Sequence, residues 1–132
     1  MRNFDYCNPT RIIFGKRETD RVGKECRKLG KKVLFIYGGK SIKQNGLYDR
    51  VMKHLQEENL VVYELGGVKP NPRIDKVREG VVICKKEKID LVLAVGGGSV
   101  LDTGKIVAAG ALYSGDPWDF FIDEHKIPGK IP

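Results

Sequence analysis

The sequence predicts an α/β domain in which helices flank a parallel sheet, and three observations carry that prediction. Short apolar stretches of strand length stand at Lys32–Tyr37, Leu60–Leu65 and Asp90–Val95. Their near-continuous apolar character suits strands covered on both faces, as in a parallel sheet. Amphipathic segments of helix length separate them, and strands alternating with helices define the α/β class with right-handed crossovers. The third stretch then runs straight into Gly96-Gly97-Gly98 and Ser99-Val100-Leu101-Asp102, a strand, a turn and a helix start.

The elements follow in chain order. Arg11–Phe14, closed by Gly15, reads as a short extra strand, with Asn3–Tyr6 as its candidate partner. Thr19–Leu29 reads as a helix ahead of the strand at Lys32–Tyr37. Leu47–Glu57 is amphipathic at helical spacing and leads to the strand at Leu60–Leu65. In the next helix, Ile74–Glu87, the residues Ile74, Val77, Val81, Val82 and Cys84 gather on one face, while Lys76, Arg78, Glu79 and Lys85 point outward. Ser99–Tyr113 forms the last helix, after the strand at Asp90–Val95. Ser114–Pro132 is punctuated by Pro and Gly and carries Trp118, Phe120 and Phe121. A compact domain rarely ends in an apolar loop with nothing to pack on, so this tail predicts a larger protein cut short.

Composition narrows the class. A length of 132 residues and 41% apolar content fit one soluble globular domain. No apolar run approaches the ~20 residues needed to cross a bilayer, and the start, Met1-Arg2-Asn3-Phe4-Asp5, lacks the apolar core of a signal peptide. Cys7, Cys26 and Cys84 are odd in number and widely spaced, and read as reduced thiols of a cytoplasmic protein. The net charge of +7 is concentrated at one end: residues 1–32 hold ten Lys/Arg and four Asp/Glu, leaving fourteen against thirteen elsewhere. With no basic motif interleaved by aromatics and no zinc-finger spacing, nucleic acid is not the expected partner.

The chemistry resides in the glycine turn. Consecutive glycines let the backbone turn sharply and approach a ligand, and the helix that follows presents unpaired N–H groups at the positive end of its dipole. Together they form a phosphate cradle. It is not a P-loop: five residues separate Gly98 from Gly104 where four are needed, and Ile106 follows Lys105 where a hydroxyl is required. It is not the GxGxxG fingerprint either, since Leu101 stands at the third glycine position. A purely structural turn, with Ser99 and Asp102 as a capping box, remains the competing reading.

These motifs carry a resemblance. Phe4 with Asn8-Pro9-Thr10-Arg11-Ile12-Ile13-Phe14-Gly15, then Tyr37-Gly38-Gly39-Lys40-Ser41, then Gly66-Gly67-Val68-Lys69-Pro70-Asn71-Pro72, then Gly96–Asp102 occur in the order found in the iron-containing (group III) alcohol dehydrogenases. Within that family the chain resembles the NAD(P)H-dependent butanol dehydrogenase and aldehyde reductase branch. The resemblance implies that residues 1–132 are part of an N-terminal, Rossmann-like NAD(P)-binding domain whose helical, metal-binding C-terminal domain is absent. It implies that Gly97, Gly98 and Ser99 bind the cofactor pyrophosphate, and that Val100, Leu101 and Asp102 continue that edge toward the nicotinamide. Asn71 would contact the adenosine or phosphate portion.

Gly39 and Ser41 would read the adenosine ribose. Relatives that prefer NAD tend to place an aspartate in that loop, and Gly38-Gly39-Lys40-Ser41 has none. A carboxylate would repel a 2′-phosphate, whereas amides, a hydroxyl and Lys40 would attract it, so NADP is expected over NAD. The competing reading is that Gly38-Gly39 merely turns the chain.

The family's metal, Fe2+ or Zn2+, is held by one Asp and three His in the C-terminal domain. This chain has only His54 and His125, neither in a motif with ligand spacing, so no catalytic or metal residue is expected in it. His54 is expected as a surface histidine and His125 as part of a solvated loop. The resemblance thus implies an oxidoreductase fragment, inactive alone, whose complete relative exchanges hydride between NAD(P)(H) and a small primary alcohol or aldehyde. Two alternatives stay open. One is a cofactor domain like that of glycerol dehydrogenase or dehydroquinate synthase. The other is a non-catalytic nucleotide-binding remnant, for which an exposed apolar surface at Trp118, Phe120 and Phe121 would offer a homodimer face.

Overall fold

The computed structural model describes residues 8–71 and 73–128. After a 3-10 turn at Glu18–Arg21, the elements are α1 (Val22–Leu29), β1 (Lys32–Tyr37), α2 (Ser41–Gln44), α3 (Leu47–Glu57), β2 (Val61–Leu65), α4 (Ile74–Glu87), β3 (Leu91–Val95), α5 (Gly98–Ala111) and α6 (Asp119–Ile122). A second 3-10 turn follows at Glu124–Lys126. The three strands form one parallel sheet in the order β2-β1-β3. This is the α/β class expected, an open parallel sheet with helices on both faces.

The core explains the apolar runs. β1 is central, and Val33, Leu34, Phe35, Ile36 and Tyr37 are all buried. Alternate residues feed opposite layers. Leu34 and Ile36 pack with Val77, Val81 and Cys84 of α4 and with Val100 and Val107 of α5. Val33, Phe35 and Tyr37 pack with Cys26 of α1 and with Val51 and Leu55 of α3. β3 is as apolar as β1 but only half-buried along its length, because among the described strands it has a neighbour on one side alone. On α4 the buried set is Val77, Gly80, Val81 and Cys84. Val82, assigned above to the same face, is exposed instead, because it lies one residue, about 100° of helix, beyond Val81.

Close approach fixes the helix positions. A Cβ on Gly104 would stand 2.8 Å from Ala94 Cβ, so α5 sits directly on β3 through that glycine. Buried Cys26 and Cys84 are free thiols, and burial pushes both up to about 11, which leaves them unreactive at neutral pH.

Two other expectations need correction. The helix expected over Thr19–Leu29 opens as a 3-10 turn and becomes α-helical only at Val22, a common tightening of a helix start. Arg11–Phe14 is not a strand: no described residue pairs with it, and Ile12 and Phe14 stand exposed. A strand needs a ladder partner, and the partner expected for it, Asn3–Tyr6, lies outside the described residues.

Asp90 ties the strands together at their N-terminal ends. Its Oδ2 accepts the backbone N–H groups of Lys31 at 2.8 Å and Lys32 at 2.9 Å. Those two hydrogen bonds hold its carboxyl below the usual carboxylate range. The unfolded chain therefore binds the proton more readily than the folded one, and stability falls with pH on the acid side. The contribution is present above the unfolded value of about 4 and is lost as pH drops through the lower folded value. Urea titrations between about pH 2 and pH 6 should show Asp90→Asn flattening the acid limb of the stability profile relative to the parent.

Candidate functional site

The register brings the glycine loops together. Tyr37 pairs with Val95, so β1 and β3 end level, and their following loops leave side by side. The chain after β1 goes to the α1/α3 face, and the chain after β3 goes to the α4/α5 face. Such a divergence between neighbouring strands opens a crevice at their carboxyl ends, where open α/β sheets bind ligands. The loop after β2 joins the same edge: Gly67 N–H donates to Gly38 O at 3.0 Å, and Val68 N–H to Tyr37 O at 3.2 Å.

Three glycines in this crevice are not explained by the chain's own structure. Among the described residues, a Cβ on Gly39, Gly97 or Gly98 would meet nothing within 4 Å, and none of the three has the positive φ that favours glycine. Gly97 adopts φ −81° and ψ −173°, open to any residue. Gly96 differs, since a Cβ there would stand 2.7 Å from Val100 Cγ2. So Gly96 serves packing, while Gly39, Gly97 and Gly98 leave open a cradle that side chains would fill.

The helix start is bare as well. α5 begins at Gly98 with Gly97 as N-cap, and no side chain caps it. The capping box between Ser99 and Asp102 is therefore absent: Ser99 lies inside the helix, two positions too late to cap, and Asp102 is exposed and faces Lys105 at 3.7 Å. The first N–H groups of α5 therefore have no side-chain acceptor at the end of the helix that follows β3.

The remaining expected residues divide by exposure. Ser99 is half-buried, and its carbonyl accepts the hydroxyl of buried Thr103 at 2.8 Å. Val100 is buried under the turn, so only its backbone can meet a ligand. Leu101 and Asp102 are exposed, and Asp102 lies on a groove of about 510 Å³ that Arg73, Lys105, Trp118 and Phe121 also line. Asn71 is exposed and left-handed, with φ 57°. Ser41 is exposed at the first position of α2.

Sequence reasoning missed a polar cluster behind the β1 loop. Tyr37 and Tyr48 both donate their hydroxyls to Glu64 Oε1, at 3.0 Å and 2.7 Å. Lys43 Nζ lies 4.7 Å from the Tyr48 ring centre and 5.5 Å from that of Tyr37. The bond to Glu64 pushes the Tyr48 phenol up to about 12. No motif announces this cluster, because its members come from four elements.

The histidines are engaged elsewhere. His54 is not simply a solvated surface group: its Nδ1 lies 2.8 Å from Glu57 Oε2 and its Nε2 3.1 Å from Asp20 Oδ1, a link between the first 3-10 turn and α3. His125 is exposed, and its backbone N–H donates to Asp123 Oδ1 at 3.1 Å. Among the described residues no group of three or more His, Cys, Asp or Glu is placed to hold a metal ion. None of the described helices is long and apolar enough to cross a membrane.

The tail is better anchored than an unsupported loop. Arg78 clasps Asp116 with two bonds of 2.9 Å and 3.2 Å, and Lys85 Nζ donates to Tyr113 O at 2.6 Å. Phe120 packs on Tyr113 at 5.0 Å between ring centres, which removes it from the exposed aromatic patch expected above. Trp118 and Phe121 do remain exposed, their rings 5.4 Å apart.

The domain is an open parallel α/β sheet with a glycine crevice at its carboxyl edge and an uncapped helix start. Residues 9–132 match the iron-containing alcohol dehydrogenase family, and the chain belongs to it. It is similar over its whole length to NADH-dependent butanol dehydrogenase A of Clostridium acetobutylicum, at 51% identity, and covers 34% of that protein. It is 40% identical to NADPH-dependent aldehyde reductase YqhD of Escherichia coli, again covering 34%. The crystal structure of NADH-dependent butanol dehydrogenase A from Thermotoga maritima superposes with a TM-score of 0.93 at 51% identity, all of this chain matching 33% of that one. The chain thus spans about a third of the length of these relatives.

Proposed function

We propose that this chain is the N-terminal, dinucleotide-binding part of a two-domain alcohol dehydrogenase, and that its crevice takes the adenosine and pyrophosphate of NADP(H). The observation that carries this reading is the open space at Gly39, Gly97 and Gly98, which no internal packing or backbone demand explains. A pyrophosphate fits that space: the amides of Gly98 and Ser99 would donate to its oxygens at the helix N-terminus, with the Ser99 hydroxyl beside them. The exposed edge at Leu101 and Asp102, and the backbone of Val100, would continue toward the nicotinamide. Asn71 would border the adenosine, and Gly39 and Ser41 the ribose.

The preference for NADP(H) rests on the β1 loop. Residues 38–44 hold no carboxylate and two lysines, Lys40 and Lys43, beside the Ser41 hydroxyl. That composition favours a 2′-phosphate electrostatically. The relatives include both NADH- and NADPH-dependent enzymes, so the loop, rather than family membership, supports the choice.

Hydride transfer between the nicotinamide and a primary alcohol or aldehyde would belong to the complete two-domain enzyme, with iron or zinc bound outside this chain. When bound, such a metal supplies Lewis-acid polarisation of the alcohol oxygen. This chain's own residues would hold and orient the cofactor, with no turnover alone.

Calorimetric titration of the purified chain with NADPH and, separately, NADH tests the reading. NADPH should bind more tightly, and a Ser99→Ala, Asp102→Ala double variant should bind it more weakly. Tighter NADH would overturn the NADP assignment, and no binding by a folded chain would overturn the crevice assignment.

A further inference from the structure

We propose that Glu64 biases the choice between the phosphorylated and unphosphorylated dinucleotide, and that Tyr37 and Tyr48 damp, without cancelling, the charge of its carboxylate so that a 2′-phosphate is accepted. The inference rests on the cofactor reading above and deepens it. Glu64 is the penultimate residue of β2, at the carboxyl edge where the crevice opens. The next residues fold against the ribose loop itself: a Cβ on Gly66 would stand 2.6 Å from the Tyr37 ring, and Gly67 N–H donates to Gly38 O at 3.0 Å. Glu64 is exposed and is therefore the acidic group that β2 supplies to this edge.

A free carboxylate beside an adenosine ribose accepts from the 2′-hydroxyl and repels a 2′-phosphate. Glu64 is not free. Two phenols donate to the same oxygen, at 3.0 Å and 2.7 Å, and such charge-assisted bonds direct and disperse its negative charge. Lys43 stands over both phenol rings, so a cation caps the same cluster. The rings are themselves locked: Tyr48 stacks on buried Phe35 at 5.8 Å and meets Tyr37 edge-on at 5.4 Å. Every part of this clamp except Glu64 comes from β1, α2 and α3, so the elements that flank the proposed ribose loop also damp the carboxylate.

The test is a double-mutant cycle read as an affinity ratio. NADPH and NADH are titrated calorimetrically into the parent chain, Tyr48→Phe, Glu64→Gln and the double variant, each checked for folding by circular dichroism. Tyr48→Phe releases one bond and should lower the NADPH-to-NADH ratio roughly tenfold. Glu64→Gln removes the charge and should raise the ratio, and in the double variant Tyr48→Phe should have no further effect on it. Parallel weakening of both dinucleotides, or an unchanged ratio in every variant, would reduce the cluster to a structural brace and overturn the inference while the cofactor reading stands. A parent chain that binds neither dinucleotide overturns the cofactor reading, and this inference with it. Should Tyr48→Phe fail to fold, Glu64→Gln decides alone, since Glu64 is exposed and the amide is isosteric.

Discussion

Replacing Gly97 by Val and Gly98 by Ala should weaken NADPH binding about a hundredfold and leave the chain as stable as before or slightly more so. The two halves of that expectation have separate causes. At Gly97 the backbone sits at φ −81°, ψ −173°, and an added Cβ meets no described residue within 4 Å, so a branched side chain is expected to fit without backbone strain. At Gly98, the first residue of α5, alanine restricts the unfolded chain and suits the helix, a gain of up to about 1 kcal/mol. Bound pyrophosphate, by contrast, would need the space those side chains fill, and overpacking a tight contact costs about 1–3 kcal/mol. Thermal denaturation and calorimetry on the same preparation check both halves. Loss of the fold would mean that the glycines serve the turn itself; unchanged binding would mean that the ligand lies elsewhere.

That separation also shows what the sequence could and could not disclose. The apolar runs gave the sheet because β1 is covered on both faces, and α3 and α4 follow the periodicity of their apolar residues to within a residue at either end. Arg11–Phe14 misled for the opposite reason: Ile and Phe favour strands, but the segment has no ladder partner among the described residues, and propensity alone forms nothing. Val82 misled because one helical step separates a buried from an exposed position.

In the candidate site, Gly96–Ser99 is legible as a local strand–turn–helix run. The juxtaposition of Gly39 with Gly97 and Gly98 is not local, since it needs the β1–β3 register. The Glu64 clamp lies further still from sequence reasoning, because Tyr37, Tyr48 and Glu64 belong to a strand, a helix and another strand. His54 shows the same limit: its charged neighbours in sequence suggested a solvated side chain, but Asp20, thirty-four residues earlier, is one of its two partners.

Phe35→Ala should be the most damaging single core truncation. Phe35 is fully buried in the central strand, in the layer shared with α1 and α3, with its ring 5.1 Å from that of Tyr37 and 5.8 Å from that of Tyr48. Removing a buried phenyl ring costs about 3–5 kcal/mol, against a total of about 5–15 kcal/mol for a typical domain. For a chain of this size the thermal midpoint should fall by roughly 10–20 °C. Val61→Ala is the matched control: Val61 is equally strand-forming but stands exposed on β2, an edge among the described strands, so its truncation should stay within about 0.5 kcal/mol. Urea denaturation of the two variants measures the difference. A Val61 cost equal to that of Phe35 would contradict the assignment of β2 as an edge. A small Phe35 cost would mean that the layer beneath the tyrosine clamp is loosely packed, and a loosely packed layer could not hold Tyr48 and Glu64 in the fixed geometry that the proposed dinucleotide discrimination would require.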